Sequence, residues 1–172
     1  IVLNNNTVLT TVDGDAVAAT IDVDVTGIEK ITFADVADGD YNGDGTLTIA
    51  NTFTGLTLEV DASGYDVDPT NGAVGEVLTI NNNDNVALTV TSGAGRDVIN
   101  DGSGASTINT GAGNDSITAG GGNDSISGGD GVDTINAGGG TDSINAGAGN
   151  DVINVTTWGD FKTSGGVETI DG

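Results

Sequence analysis

Residues 92–154 form seven consecutive blocks of nine, which read SGAGRDVIN, DGSGASTIN, TGAGNDSIT, AGGGNDSIS, GGDGVDTIN, AGGGTDSIN and AGAGNDVIN. Glycine occupies the second and fourth positions of every block, and isoleucine occupies the eighth. Paired glycines indicate a tight turn, because glycine allows positive φ and close approach of the backbone. An isoleucine between polar neighbours suits a short strand whose middle side chain faces inward. Each block is therefore predicted to be one turn and one three-residue strand of an all-β repeat structure.

The sixth position of the block is acidic. Ser106 holds it in the second block, and aspartate holds it in the other six: Asp97, Asp115, Asp124, Asp133, Asp142 and Asp151. Carboxylates stacked on adjacent coils repel one another unless a cation lies between them. Calcium binds through oxygen ligands alone, including the backbone carbonyls that a glycine-rich turn presents. The pattern therefore predicts calcium as the cofactor, and the alternative is that these aspartates only form turns.

The blocks resemble the RTX family of calcium-binding repeats, whose motif is G-G-x-G-x-D-x-U-x with U a large apolar residue. The resemblance covers about a third of the chain. It implies a right-handed parallel β-roll with two nonapeptides per turn, in which loops of blocks n and n+2 share a calcium ion. The chain departs from the motif at the first position, where only the fifth block keeps glycine, as Gly128.

Carried over to this chain, the resemblance implies two columns of sites, one through the odd blocks and one through the even blocks. Four sites with two aspartates each are expected, and a fifth lacks one carboxylate because Ser106 interrupts the even column. Backbone carbonyls of the turn glycines complete the expected ligands: Gly93, Gly95, Gly111, Gly113, Gly120, Gly122, Gly129, Gly131, Gly138 and Gly140.

The composition limits the partners. Three basic residues face 26 acidic ones, which gives a formal net charge of −23. Such a chain repels phosphate backbones and anionic lipid, so nucleic acid is excluded as a partner. No membrane insertion is expected either, because no stretch approaches the roughly 18 apolar residues of a membrane span. The obvious partners are divalent cations.

Residues 1–91 lack the glycine pattern but contain short β-rich runs at 21–25, 28–33, 47–49, 56–60, 77–80 and 86–90. They predict a β-rich, repeat-like region, formed by irregular coils of a β-helix or by a small sheet stacked on the roll. Residues 61–76, with the single proline, are expected to form a protruding loop.

A second candidate calcium site lies in the sequence DGDYNGDG at 38–45, which matches the opening of an EF-hand loop. Ile49 stands where an EF-hand has its bidentate glutamate, so a solvated acidic turn is the alternative interpretation. The candidate ligands are Asp38, Asp40, Asn42 and Asp44.

Residues 155–172 are expected to cap the roll and to begin a following unit. Trp158 and Phe161 are bulky enough to cover the apolar end of a coil stack, and a platform for cell-surface polysaccharide is the alternative. The sequence GVETI at 166–170 repeats GIEKI at 27–31, which suggests the start of another unit.

The residue inventory argues against an enzyme, because the chain has no histidine or cysteine and only three basic residues. Its acidic strands, rich in Thr and Asn, are similar to those of bacterial S-layer proteins and large RTX adhesins. This similarity implies an extracellular structural protein of the bacterial cell surface, exported by type I secretion, which self-associates into a lattice or filament with calcium. The alternative is an RTX export and folding module of a secreted enzyme or toxin whose catalytic domain lies elsewhere.

Overall fold

The computed structural model describes residues 8–12, 17–21, 30–34, 45–49, 57–64, 77–155 and 169–171. These residues form β-strands joined by turns. None of them belongs to a helix that is long and apolar enough to span a membrane.

The described strands wind into a parallel β-solenoid with two sheets. One sheet has the order β1-β3-β5-β7-β9-β11-β13 and the other β15-β14-β12-β10-β8-β6-β4-β2, so the chain changes sheet at every strand from β1 to β14. All pairs are parallel, which confirms the predicted all-β roll. The strands are β1 (Val8–Val12), β2 (Val17–Ile21), β3 (Lys30–Ala34), β4 (Gly45–Ile49), β5 (Thr57–Gly64), β6 (Leu78–Asn82), β7 (Ala87–Thr91), β8 (Val98–Asn100), β9 (Thr107–Ala112), β10 (Ser116–Thr118), β11 (Ser125–Asp130), β12 (Thr134–Gly138), β13 (Ser143–Ala148), β14 (Val152–Val155) and β15 (Thr169–Asp171).

The register within the repeats shows two nonapeptides per turn of the solenoid. Ile117 lies between Ile99 and Ile135 in one sheet, and Ile126 lies between Ile108 and Ile144 in the other. Each partner is the eighth residue of a block two blocks away. This register confirms the coil predicted from the RTX motif and stacks the isoleucines in two ladders.

The isoleucine ladders continue into the residues before the repeats. In one sheet Leu47 pairs with Ile80, and Ile80 pairs with Ile99. In the other sheet Val60 pairs with Val90 on the adjacent strand. These aliphatic side chains are buried and form one core with the isoleucines of the repeats. The irregular coils expected before residue 92 are therefore coils of the same solenoid. The division into units 1–91, 92–154 and 155–172 stays a prediction, and the sheets run without interruption past residue 91.

Some predicted element bounds were wrong. Within the repeats, β9, β11 and β13 have six residues instead of three, because pairing continues through the second-position glycines, as at Gly111 and Gly129. Strand β1 was not predicted, and β2 ends at Ile21, where the predicted run begins. Strand β5 extends to Gly64, into the loop predicted for 61–76.

The C-terminal strand β15 continues the eight-stranded sheet, with Ile170 opposite Ile153. The echo sequence at 166–170 therefore ends in a further strand of the same sheet. Trp158 and Phe161, the predicted cap, lie outside the described residues.

The turns of blocks three to seven depend on glycine at the second and fourth positions, where every φ is positive. At Gly140, φ is +130° and a Cβ would overlap the carbonyl oxygen of Gly122 in the coil before it. Blocks one and two differ, because Gly102 has no positive φ and needs glycine only for its close approach to the backbone of Asp84. Glycine thus serves mainly to let successive loops lie against each other.

Substitution of two adjacent glycines tests this close approach. Gly140→Ala should destabilise the calcium-loaded chain by at least about 1–3 kcal/mol, because its φ lies where only glycine is unstrained and a methyl group has no space. Gly139→Ala is the matched control, since no atom lies within 4 Å of its Cβ position. Urea unfolding in saturating calcium should separate the two variants, and equal midpoints would contradict this close approach of the loops.

Candidate calcium site

The alternation of the strand explains why the aspartates are buried. Side chains two residues apart face the same side of a strand, so the sixth position, the eighth position and the first position of the next block share the inner face. In the fifth block these residues are Asp133, Ile135 and Ala137, and each has 0% of its surface exposed. The sequence therefore places a carboxylate inside the solenoid, at the corner where the loop meets the strand.

The aspartates of the odd blocks form a hydrogen-bonded column. The backbone N–H of Asp97 donates to Oδ1 of Asp115 at 2.8 Å. In the same way, the N–H of Asp115 donates to Asp133 and that of Asp133 to Asp151, both at 2.9 Å. Each carboxylate thus holds the corner of the preceding coil through one oxygen.

The even blocks form a second column with one substitution. The N–H of Ser106 donates to Oδ1 of Asp124 at 2.8 Å, and the N–H of Asp124 donates to Asp142 at 2.9 Å. Ser106 Oγ accepts from the N–H of Leu88 at 2.9 Å, so the hydroxyl replaces the Oδ1 oxygen of an aspartate. Ser106 offers no second carboxylate oxygen.

The second carboxylate oxygen is the feature that fits a metal ion. The Oδ2 atoms of Asp115, Asp124, Asp133 and Asp151 are buried and accept no hydrogen bond. A buried carboxylate oxygen without a donor costs several kcal/mol unless the charge is neutralised. Hard oxygen ligands of this kind are those that calcium prefers. The residues present therefore fit the predicted cofactor.

The electrostatics of the columns favour neutral carboxyl groups or a bound cation. With protein atoms alone around it, burial raises the pKa of Asp115 to about 7, and charge repulsion from Asp97 and Asp133 adds to this effect. Burial raises the pKa of Asp124 to about 6, with a further contribution from Asp142 and Asp101. Burial also raises the pKa of Asp133. Burial thus disfavours the ionised form of these groups, and a bound cation would favour it.

Backbone carbonyls lie close to the unpartnered carboxylate oxygens. A Cβ at Gly128 would lie 2.5 Å from both Oδ2 of Asp133 and the carbonyl oxygen of Ala146. No three acidic, histidine or cysteine side chains converge anywhere in the part of the chain that the structure describes. A calcium site here therefore needs two carboxylates together with backbone carbonyls.

The predicted glycine ligands lie in the stacked loops next to these carboxylates. The carbonyl oxygen of Gly93 accepts from the N–H of Ala112 at 3.0 Å, and a Cβ at Gly113 would overlap the carbonyl oxygen of Gly95. Eight others have positive φ, and their ligand role stays a prediction: Gly111, Gly113, Gly120, Gly122, Gly129, Gly131, Gly138 and Gly140. The EF-hand-like candidates Asp38, Asp40, Asn42 and Asp44 lie outside the described residues.

One buried carboxylate was missed by the sequence reasoning. Asp101, at the first position of the second block, is also buried, and its Oδ2 accepts no hydrogen bond. Burial raises the pKa of Asp101, while the polar side chains of Ser106 and Asn82 lower it. The available signal was the position itself, an aspartate at a glycine position of the motif in the block that has serine at position six.

The fold and these columns define a calcium-binding parallel β-roll. Residues 91–126 and 118–153 match the family model of the RTX calcium-binding nonapeptide repeat, in four copies. Residues 91–153 of this chain are therefore RTX calcium-binding nonapeptide repeats. No curated protein and no solved structure matches the chain. A roll of this kind is a structural calcium-binding module without catalytic activity of its own, and RTX repeats are typical of extracellular, type I-secreted bacterial proteins.

The position of an aspartate in its column should determine how much calcium affinity it supplies. Asp133 has an aspartate on either side of it in the column. Asp97 is the first aspartate of the column, and its Oδ1 accepts from the backbone N–H of Leu78 at 2.9 Å. Asp133→Asn should weaken two sites by about tenfold or more each, and Asp97→Asn only one. Calorimetric calcium titration of both variants measures the difference. Equal losses would argue against sharing of ions between blocks n and n+2.

The raised pKa values predict that the calcium-free chain is more folded in mild acid. Because the folded pKa values of Asp115 and Asp124, about 7 and about 6, exceed the ordinary 3.8, the folded state binds protons more tightly than the unfolded state. This stabilisation is complete below about pH 4 and is lost as the pH rises through about 6 to 7. Far-UV circular dichroism in metal-free buffer should therefore show less β-structure at about pH 8 than at about pH 5.

Two variants separate this effect from the general charge of the chain. A variant with Asp115→Asn and Asp124→Asn should lose part of the pH dependence. Asp130→Asn removes one exposed carboxylate outside the columns and should leave the pH dependence unchanged. If all three proteins respond equally to pH, the buried carboxyl groups are not its cause.

Proposed function

We propose that the chain is a calcium-binding structural protein of the bacterial cell surface, of the S-layer, filament or adhesin kind, in which calcium drives folding and self-association. The observation that carries the proposal is the column of buried aspartates whose Oδ2 atoms accept no hydrogen bond, as at Asp115 and Asp133. In this proposal the chain is extracellular and has no catalytic role.

The small core supports a folding role for calcium. Each coil of the repeats buries one isoleucine per sheet, accompanied by small residues such as Ala137 and Ala146. Large side chains supply most buried apolar area in ordinary domains, and glycine-rich turns lose much backbone entropy on folding. Calcium that binds only the folded state adds roughly 2.7 kcal/mol per site at a hundredfold excess over Kd. Several such sites would outweigh the repulsion between stacked carboxylates.

The strands before the repeats support a structural role over an export module. An export module would adjoin a catalytic domain of different architecture. Here β4 and β5 instead pair with β6 and β7, which in turn pair with the first strands of the repeats. The described residues on both sides of residue 91 thus share one solenoid architecture, as expected for a protein built from stacked coils.

Self-association is part of the proposal, and the same architecture supports it. Among the described strands, β1 and β2 lie at one end of the two sheets, and β13 and β15 lie at the other. The edge strands of a sheet are templates for pairing with another chain when nothing covers them. Two copies at −23 each would repel unless calcium neutralises the surfaces between them. Calcium is therefore proposed to act both within and between copies.

A calcium titration with two measurements tests both parts of the proposal. Far-UV circular dichroism should show a cooperative gain of β-structure with calcium and its loss with chelator. Sedimentation velocity should show a monomer in chelator and large species in calcium, which electron microscopy should resolve as filaments or sheets. Identical dichroism in both conditions would contradict calcium-driven folding. A chain that folds with calcium but remains monomeric at high concentration would favour the export module.

A further inference from the structure

The second block differs from the others at the two residues that bracket its loop. Asp101 begins this loop and Ser106 ends it. These two positions are neighbours in the repeat, because a Cβ at Gly128 would lie 2.5 Å from Oδ2 of Asp133 in the fifth block. Elsewhere the first position holds a small residue: Ser92, Thr110, Ala119, Gly128, Ala137 or Ala146. The second block therefore has the carboxylate at the start of the loop instead of the end.

The carboxylate of Asp101 uses only one of its oxygens. Oδ1 accepts from Nδ2 of Asn82 at 2.6 Å and from the N–H of Gly102 at 2.8 Å. Oδ2 is buried and accepts no hydrogen bond. The residue as a whole is only 8% exposed, so water does not readily replace the missing donor. Asp124, two blocks further on in the same column, is 2% exposed and has the same unpartnered Oδ2. Two buried acceptor oxygens thus belong to neighbouring loops of one column.

The repeat geometry indicates that Asp101 faces a further acceptor. The hydroxyl of Ser92 donates to the carbonyl of Thr110 at 2.9 Å, and that of Thr110 donates to the carbonyl of Gly128 at 2.8 Å. A first-position side chain therefore faces the first-position carbonyl two blocks on, which for Asp101 is that of Ala119. An ionised carboxylate cannot donate a hydrogen bond to a carbonyl. A proton on the carboxyl group or a bound cation reconciles these oxygens, and only a cation can satisfy the oxygens of Asp101 and Asp124 together.

A purely structural role explains only part of the arrangement. Asp101 holds the side chain of Asn82, whose Nδ2 also donates to the carbonyl of Val86 at 3.0 Å. This contact orders the turn before β7, but it involves Oδ1 alone. Ser106 lies close enough to lower the pKa of Asp101, but Oδ2 accepts no hydrogen bond from it or from Asn82. A purely structural role therefore leaves a buried acceptor oxygen unexplained beside the loop that contains Asp124.

We propose that Asp101 is a calcium ligand that replaces the missing sixth-position aspartate of the second block. Asp101 and Asp124, completed by backbone carbonyls of their loops, hold a fifth ion in addition to those of the four two-aspartate pairs. The even column is then continuous from the second block to the sixth. The inference requires the roll to bind calcium, but it does not depend on a surface-structural role.

Counting bound ions by native mass spectrometry, with affinities from calorimetric calcium titration, tests this assignment. Asp101→Asn keeps an oxygen that accepts from Asn82 and Gly102 but removes the charge, so this variant should bind one ion fewer than the wild type. Adding Ser106→Asp to Asp101→Asn returns the carboxylate to the sixth position and should restore the wild-type count. Asp130→Asn, an exposed residue of the fifth block, is the control and should leave the count unchanged.

The opposite results would overturn the assignment. If Asp101 is only structural, Asp101→Asn keeps the wild-type ion count, and the double variant binds one ion more than the wild type. If Asp101→Asn alone fails to fold in calcium, the double variant still decides, because its count equals the wild-type count only when Asp101 is a ligand. A chain that binds no calcium would instead contradict calcium binding by the roll as a whole.

Discussion

The structure depends on one electrostatic constraint, the burial of aspartates one above another at the corners of successive coils. One oxygen of each carboxylate holds the backbone of the preceding coil, as Asp115 holds Asp97. The other oxygen of Asp115 accepts no hydrogen bond from the protein. Coils can therefore stack closely only when a cation or a proton neutralises the column. The fold and the ion requirement are consequently the same property of the chain.

The isoleucines, aspartates and glycines of the repeat have separate roles that follow from the alternation of side chains along a strand. Inward isoleucines set the register, as the pairing of Ile117 with Ile135 shows. The aspartate two residues earlier lies on the same face, but at the corner, where carbonyls of the loop are within reach. Glycine brings those loops together, because a Cβ at Gly131 would overlap the carbonyl oxygen of Gly113. A substitution at any of these three positions alters the spacing between coils and therefore affects the contacts of the other two.

The repeats could be predicted in detail because fold and site share one period of nine residues. The pairing of Ile99 with Ile117 and the burial of Asp133 both follow from that period. The coils before residue 92 could not be predicted as well, because partners such as Leu47 and Ile80 are separated by segments of irregular length. Asp101 was missed for a different reason. Its role depends on the spatial adjacency of the two ends of a loop, which no single motif position expresses.

The direction of the carboxylate hydrogen bonds has a consequence for how the roll is made. The N–H at the corner of each coil donates to an aspartate of the coil that follows, as Asp133 donates to Asp151. A growing chain emerges with its N-terminal residues first, so each coil lacks its acceptor until the next coil has been synthesised. Completion of the solenoid therefore follows synthesis one coil behind, and the most recently made coil stays unfinished until the next one has emerged. The direction of these hydrogen bonds thus makes every coil dependent on the coil that follows it in the sequence.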